Sequence, residues 1–446
     1  MVSFSYMKGR VCMRKLLFML AGCAFFAIPG FCEAEITAVN CTPRYPWNGK
    51  VDVDVTLANT EVDAEYVVSL ALVRTDGSEK GIVTLDTEPV VKGNGVHTLV
   101  WDAATDYPNT RLADVAVKAT IAKYDGSQGV YLVFDLSEGK DAKSYPHRYT
   151  LQAPDLSSDV CRTTELWMRR VPAGEFTEGN TVAGNGDRGS LPPHAVRLTK
   201  PYYLGVFEMT QQQYFLLTGS WPSFFTAECE TRPVETVSFI DFRGNHNGWY
   251  DDTALPSTYP LYKLCDRTGF RFDFPTEAQW ERAFRAGVTA KYHLPEMTDA
   301  NAKDYSRNAD QRQASTVTEG TVLPDVGGTQ KVGMFPANPW GFYDMAGNLQ
   351  EICGDGNPYT SNALTPSPEE FPAHFAGAPY VDIRGPTLEW AKLTGAETTE
   401  YTSSCTTRGG SWQHSPNGGT TYWRDGVGRG GGRGNTIGFR LCITCK

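Results

Sequence analysis

Apolar and polar residues alternate with period two in Val51-Asp52-Val53-Asp54-Val55-Thr56-Leu57, and again in parts of Tyr66 to Val73 and of Val115 to Ile121. Side chains two apart share one face of a strand, so such runs read as strands with one apolar side. Asp76-Gly77, Asn94-Gly95 and Asp125-Gly126 supply tight-turn chemistry between them. Glu35 to Pro154 therefore reads as a small antiparallel β-sandwich, with no side-chain constellation that suggests chemistry. The segment Gln152 to Thr164 is rich in Pro, Asp, Ser and Thr and reads as a linker. Beyond it, Leu166 to Phe176 and Pro201 to Glu208 read as strands. Thr210 caps a short helix that places Tyr214 and Leu217 on one face, and Thr276 caps another, with Gln279 reaching back to close a capping box. Loops account for most of the remainder.

The N-terminus carries Arg14 and Lys15, an apolar run from Leu16 to Phe31, and Cys32-Glu33-Ala34 as a small-residue cleavage site, the pattern of a secretory signal over residues 1–34. The expected location is periplasmic, secreted or cell surface. Leu20-Ala21-Gly22-Cys23 leaves lipidation at Cys23 as the alternative, and the apolar run is too short for a retained transmembrane helix. Loss of four basic groups and Glu33 with that segment leaves 37 basic and 50 acidic residues, about −13. Such a charge repels nucleic acid and anionic membrane. Eight cysteines remain, and an even count in an exported chain favours disulfides.

The end of the chain is a cassette. Arg408-Gly-Gly-Ser-Trp412 and Ile437-Gly-Phe-Arg-Leu-Cys442 frame a stretch of Gly, Thr, Asn and Arg with two aromatics and one aliphatic, Val427. A stretch so poor in aliphatics cannot bury itself, and its residue types are those of adaptable binding surfaces. The candidate ligand-binding residues are His414, Asn417, Tyr422, Trp423, Arg424, Arg429 and Arg433. Glycine-spaced arginines suit carboxylates or sulfated groups on a ligand. Arg408 and Arg440, inside the framing motifs, are expected to pair with core acids.

The blocks VPAGEF, PYYLGVFEMT, RPVETVSF (Arg232 to Phe239), FPTEAQWERAFRAG (Phe274 to Gly287), NPWGFYDMAGNLQE (Asn338 to Glu351), RGGSW and IGFRLC occur in this order. The series resembles the formylglycine-generating enzyme, or sulfatase-modifying-factor, domain. The fold class expected is α+β: an N-terminal all-β immunoglobulin-like sandwich at 35–154 and a C-terminal sulfatase-modifying-factor-type C-type-lectin fold at 165–446, loop-rich with few helices. The segment between the framing motifs also resembles the variable region of proteins on this fold that bacterial diversity-generating retroelements diversify.

The resemblance implies structural Ca²⁺ at Asp344, Gly347, Leu349 and Glu351, whose carboxylates and carbonyls form a hard-oxygen set. It implies a second site at Asn308 and Asp325, and a disulfide joining Cys265 to Cys442. Enzymes of this family use copper held by two cysteines after the Gly-Gly-Ser motif, as soft Cu(I) requires. Here the first position falls on His414 and the second near Gly419, and no cysteine lies between Cys405 and Cys442. The expectation is an exported, non-catalytic binding protein for a protein or glycan ligand, without copper. The alternative is a formylglycine-generating or related metal-dependent oxidase with a variant site.

Overall fold

In the computed structural model, the residues described are 33–45, 48–110, 112, 115–182, 193–244, 255–311, 328–356, 379–382, 404–428 and 432–444. The chain forms two compact units, Met1–Tyr124 and Asp125–Lys446. The signal-like residues 1–32 lie outside the described residues, as do Asp325 and Arg429. No helix of the described residues is long and apolar enough to cross a membrane.

The first unit contains β1 (Glu35–Pro43), β2 (Lys50–Ala58), β3 (Glu65–Val73), β4 (Glu79–Gly81), β5 (Val90–Lys92), β6 (Gly95–Asp102), the single turn α1 (Ala103–Asp106) and β7 (Ala116–Lys123). One sheet has the order β1-β2-β6. In the other, β3 pairs with β4 and β5 along one part or another of its length and with β7 throughout. The alternation seen in the sequence is the burial pattern: Val53, Val55 and Leu57 of β2 and Val68, Leu70 and Leu72 of β3 are buried. Each such side chain removed from water stabilises by about 1.5–3 kcal/mol. Asp106 closes the unit's core by accepting hydrogen bonds from the backbone N–H groups of Val83 and Thr84 and from Trp101 Nε1.

The second unit begins earlier than the sequence suggests. β8 (Tyr131–Asp135) and β9 (His147–Thr150) do not belong to the sandwich, because β8 pairs antiparallel with β10 (Glu165–Val171). The stretch expected to be a linker is folded as well. It contains α2 (Val160–Thr163), Cys161 is buried, and the buried Arg162 donates from Nε to Val332 O at 2.8 Å. A Pro- and Ser-rich composition marks turns; it does not distinguish a loose tether from a tightly packed loop.

Next come β11 (Gly174–Glu178), β12 (His194–Leu198), β13 (Tyr202–Gly205), α3 (Gln211–Thr218), α4 (Phe239–Arg243), α5 (Pro260–Thr268), β14 (Phe272–Asp273), α6 (Glu277–Arg285), β15 (Gln350–Gly356), β16 (Tyr380–Val381), β17 (Ser404–Arg408), β18 (Arg424–Gly428), β19 (Ile437–Gly438) and β20 (Cys442–Thr444). An antiparallel six-stranded sheet has the order β14-β20-β13-β10-β8-β9, a second has β18-β17-β15-β19, and a third has β11-β12-β16. The expected Thr276–Gln279 capping box forms, Thr210 caps its helix and also closes a box with Gln213, and Tyr214 and Leu217 are buried as expected. Every residue of α6 is buried, and β11, β15 and β17 pack against it, so this helix is a central post of the unit.

The six-stranded sheet separates two cores. Phe134, Tyr203, Phe272, Leu441 and Ile443 join one cluster, while Tyr202, Leu204 and Cys442 join Trp280 and Phe284 of α6 in the other. This division overturns the expected disulfide. Cys265 packs against the first cluster and its Sγ donates to Phe272 O, whereas Cys442 sits in the second and its Sγ donates to Gln279 Oε1. The two thiols lie on opposite faces of the sheet, and bridging them would require the backbone to move, since a disulfide needs Cβ atoms about 4 Å apart.

Candidate functional site

After β17 the chain turns sharply on Gly409 (φ 85°) and Gly410 (φ 69°). A Cβ at Gly409 would lie 2.8 Å from Met345 O, and one at Gly410 would lie 2.7 Å from Gly418, so glycine is required twice over. Trp412 is buried edge-on against Phe225, its Nε1 donating to Asn435 O at 2.9 Å. His414 folds back onto the turn: its Nδ1 accepts from Ser411 N at 3.2 Å and lies 2.8 Å from Ser411 Oγ. A backbone N–H can only donate, which leaves Nδ1 as the lone-pair nitrogen and puts the proton of the neutral ring on Nε2. Burial holds this imidazole below its ordinary range, with the Asp425 carboxylate opposing the shift.

The structure divides the seven candidate ligand-binding residues. Trp423 is half-buried and its ring lies 5.0 Å from the His414 ring. Asn417 is exposed on a single 3₁₀ turn, its Oδ1 accepting from Lys291 Nζ at 2.9 Å. Tyr422 and Arg424, in contrast, point inward. Tyr422 is 1% exposed, and Arg424 is 3% exposed and grips Glu277 of α6 through two bonds of 2.7 and 2.6 Å. Both are corrected from ligand contacts to scaffold. Arg433 is on the surface with its fork on Asp241, the shorter bond 2.5 Å. Composition alone could not separate these roles, because an arginine that braces a loop and one that greets a ligand look identical in the sequence.

Arg408 supports the loop from below. It donates to the carbonyls of Trp423 (2.6 Å) and Thr421 (2.8 Å) and pairs with Glu281 of α6. Thr421 is tied further through Oγ1 to Ala290 O. Trp423, half-buried just before β18, and Asp425, exposed within it, flank the inward Arg424. Asp425, which the sequence reading missed, is exposed and, among the described residues, accepts from Gly426 N at 2.8 Å and Gln350 Nε2 at 3.3 Å. Its place two residues after an aromatic at a strand edge was the available signal.

The stretch expected to hold calcium is built differently from that expectation. Both oxygens of Glu351 bond Arg440, at 2.5 and 2.6 Å, and Trp280 Nε1 adds a third bond of 2.7 Å. Asp344 accepts from Gly333 N, and burial pushes its carboxyl up to about 6. Glu208, a third carboxylate absent from the sequence reading, accepts from Asn348 Nδ2 and Leu349 N, and burial beside Asp344 and Glu351 raises it well above the carboxylate range. Asn308 is buried in a local turn, its Oδ1 accepting from Asp310 N. Of the expected donors, Glu351 is thus held by a guanidinium and an indole, and the single guanidinium of Arg440 faces all three carboxylates, Glu208, Asp344 and Glu351. Chelation with EDTA is accordingly expected to move the melting temperature by less than about 2 °C. A drop beyond about 5 °C that added calcium reverses would return the ion to this cluster.

Three sheets packed with the buried α6, and a glycine-pinned turn after β17, form the frame of this unit. Residues 154–445 match the sulfatase-modifying factor enzyme 1-like domain, and the chain belongs to that FGE-sulfatase family. It is 27% identical over 225 residues to a serine/threonine-protein kinase pkn1 of Chlamydia pneumoniae, covering 48% of this chain and 32% of that protein. It is 27% identical over 177 residues to a chaperone protein LppX of Paenibacillus barcinonensis, covering 34% of this chain and 61% of that one. The chain thus spans less than two thirds of these relatives' lengths. Among solved structures it is similar to Treponema denticola variable protein 1 (23% identity, TM-score 0.44, covering 63% of this chain and 96% of that one) and to PvdO from Pseudomonas aeruginosa (20%, TM-score 0.41, covering 63% and 95%).

Proposed function

We propose that this protein is a binding member of its family, one that presents the outward face of the closing loop to a ligand and performs no oxidation. The observation that carries the reading is the pinned surface formed by His414, Trp423 and Asp425: an indole face, an imidazole edge and a carboxylate fixed on a turn that Arg408, Ser411 and two glycines hold in place. Such a surface is preorganised, which lowers the cost of ordering on association. The positions that resemble the family's copper thiolates carry His414 and Gly419, and neither an imidazole fixed to Ser411 nor a glycine packed toward Ala346 replaces a thiolate pair. The apolar run after Arg14-Lys15 supports placing the protein outside the cytoplasm, and the glycine-framed loop is suited to retroelement diversification.

The test is direct. Purified protein given copper, oxygen and a cysteine-containing sulfatase peptide is expected to consume no oxygen above the level of copper alone. Robust turnover that copper chelation stops would replace this reading with the oxidase.

A further inference from the structure

The outward face resting on this reading has a definite polarity. Of the arginines that suggested an anionic ligand, Arg424 is committed to Glu277 and Arg433 to Asp241, Arg429 lies outside the described residues, and the framing Arg408 pairs with Glu281. Lys291, the remaining described cation beside the loop, is held by both oxygens of Asp299, at 2.7 and 2.9 Å, and by Asn417. Asp425 is left as the one charge of the loop that makes no ion pair among the described residues, since its two partners, Gly426 N and Gln350 Nε2, are neutral donors.

Arg424 points inward to Glu277, while Trp423 and Asp425, on either side of it in sequence, both lie beside His414, whose ring is 5.0 Å from that of Trp423 and feels the Asp425 carboxylate. Side chains two apart on a strand stand about 7 Å apart. A cation binds an indole face within about 6 Å of the ring centroid. A planar guanidinium resting on Trp423 therefore reaches the Asp425 carboxylate with its edge, making a stacked contact and a charge-assisted pair at once. His414 backs the indole, and with its ring fixed by Ser411 it adds no positive charge while neutral.

We infer that the closing loop recognises a cationic side chain, arginine above all, of a peptide or protein partner, through Trp423 and Asp425. A glycan would stack on the same indole without needing the carboxylate, and that difference separates the two.

The test uses the full chain and isothermal titration with three probes: an acetylated Gly-Arg-Gly-Arg-Gly-Arg amide, the same peptide with glutamate in place of arginine, and a neutral methyl glycoside. The arginine peptide is expected to bind and the other two are not. Asp425→Asn is expected to weaken binding roughly tenfold, as loss of a charge-assisted pair does, and Trp423→Ala to abolish it, with the melting temperature of Asp425→Asn unchanged. If the glycoside binds and Trp423→Ala removes it while Asp425→Asn does not, the binding reading stands and the cationic assignment falls. Equal binding of the glutamate peptide also overturns the assignment, and if none of the probes binds, both the assignment and the reading beneath it are lost.

Discussion

Arg440→Ala is expected to lower the melting temperature of the second unit by about 10 °C. Arg440 is entirely buried and faces three carboxylates, Glu208, Asp344 and Glu351. Its guanidinium also donates to the carbonyls of Gly205 (3.0 Å), Val206 (3.3 Å) and Tyr343 (2.9 Å), so it ties three segments together as well as neutralising charge. Removing one partner of a buried pair strands the other, at a cost of about 3–5 kcal/mol. The double variant Arg440→Met with Glu351→Gln discards the charge from both sides, and the side-chain amide that replaces the carboxylate still offers Trp280 an acceptor. It is expected to recover more than half of the loss. Urea denaturation of Arg440→Met, Glu351→Gln and the double variant measures the coupling; a double variant no more stable than Arg440→Met would mean that the carbonyl contacts, not the ion pair, carry the effect.

Tyr422→Ala is the second large effect, and its contrast with Trp423→Ala is informative. Tyr422 is buried, so truncation empties core volume and is expected to cost about 3–5 kcal/mol. The half-buried Trp423 is expected to cost about 1 kcal/mol when truncated, yet to remove ligand capture. Two adjacent aromatics thus separate into one that builds the domain and one that meets the ligand. Denaturation and binding measured on both variants check this; equal destabilisation by the two would place Trp423 in the core.

Much of this architecture was legible in the sequence. The alternation in β2 and β3, the Thr210 cap and the Thr276 capping box each rest on a local physical rule and are found in place, and the ordered blocks carried the family resemblance that the domain match bears out. What was missed depends on contacts distant along the chain. Tyr131 to Asp135 is a short apolar run inside the stretch read as the sandwich, and only its pairing with Glu165 to Arg169 assigns it to the second unit. Arg424 reads as a ligand-seeking arginine until Glu277, far away in sequence, claims its fork. Glu208 ends an apolar strand-like run and gave no sign of the carboxylate cluster it joins. Cys265 and Cys442 match a family pairing in spacing, yet spacing is blind to which side of a sheet a residue faces.

The position of β8 and β9 has a practical edge. A shortened chain starting at residue 154, where the family match begins, would keep the loop and its post but would strip two strands from the side of β10. The bared backbone amides and carbonyls would then be open to other molecules, inviting clumping rather than clean folding. Cutting at Asp125 instead retains the whole unit, with β8 and β9 still covering that side of β10.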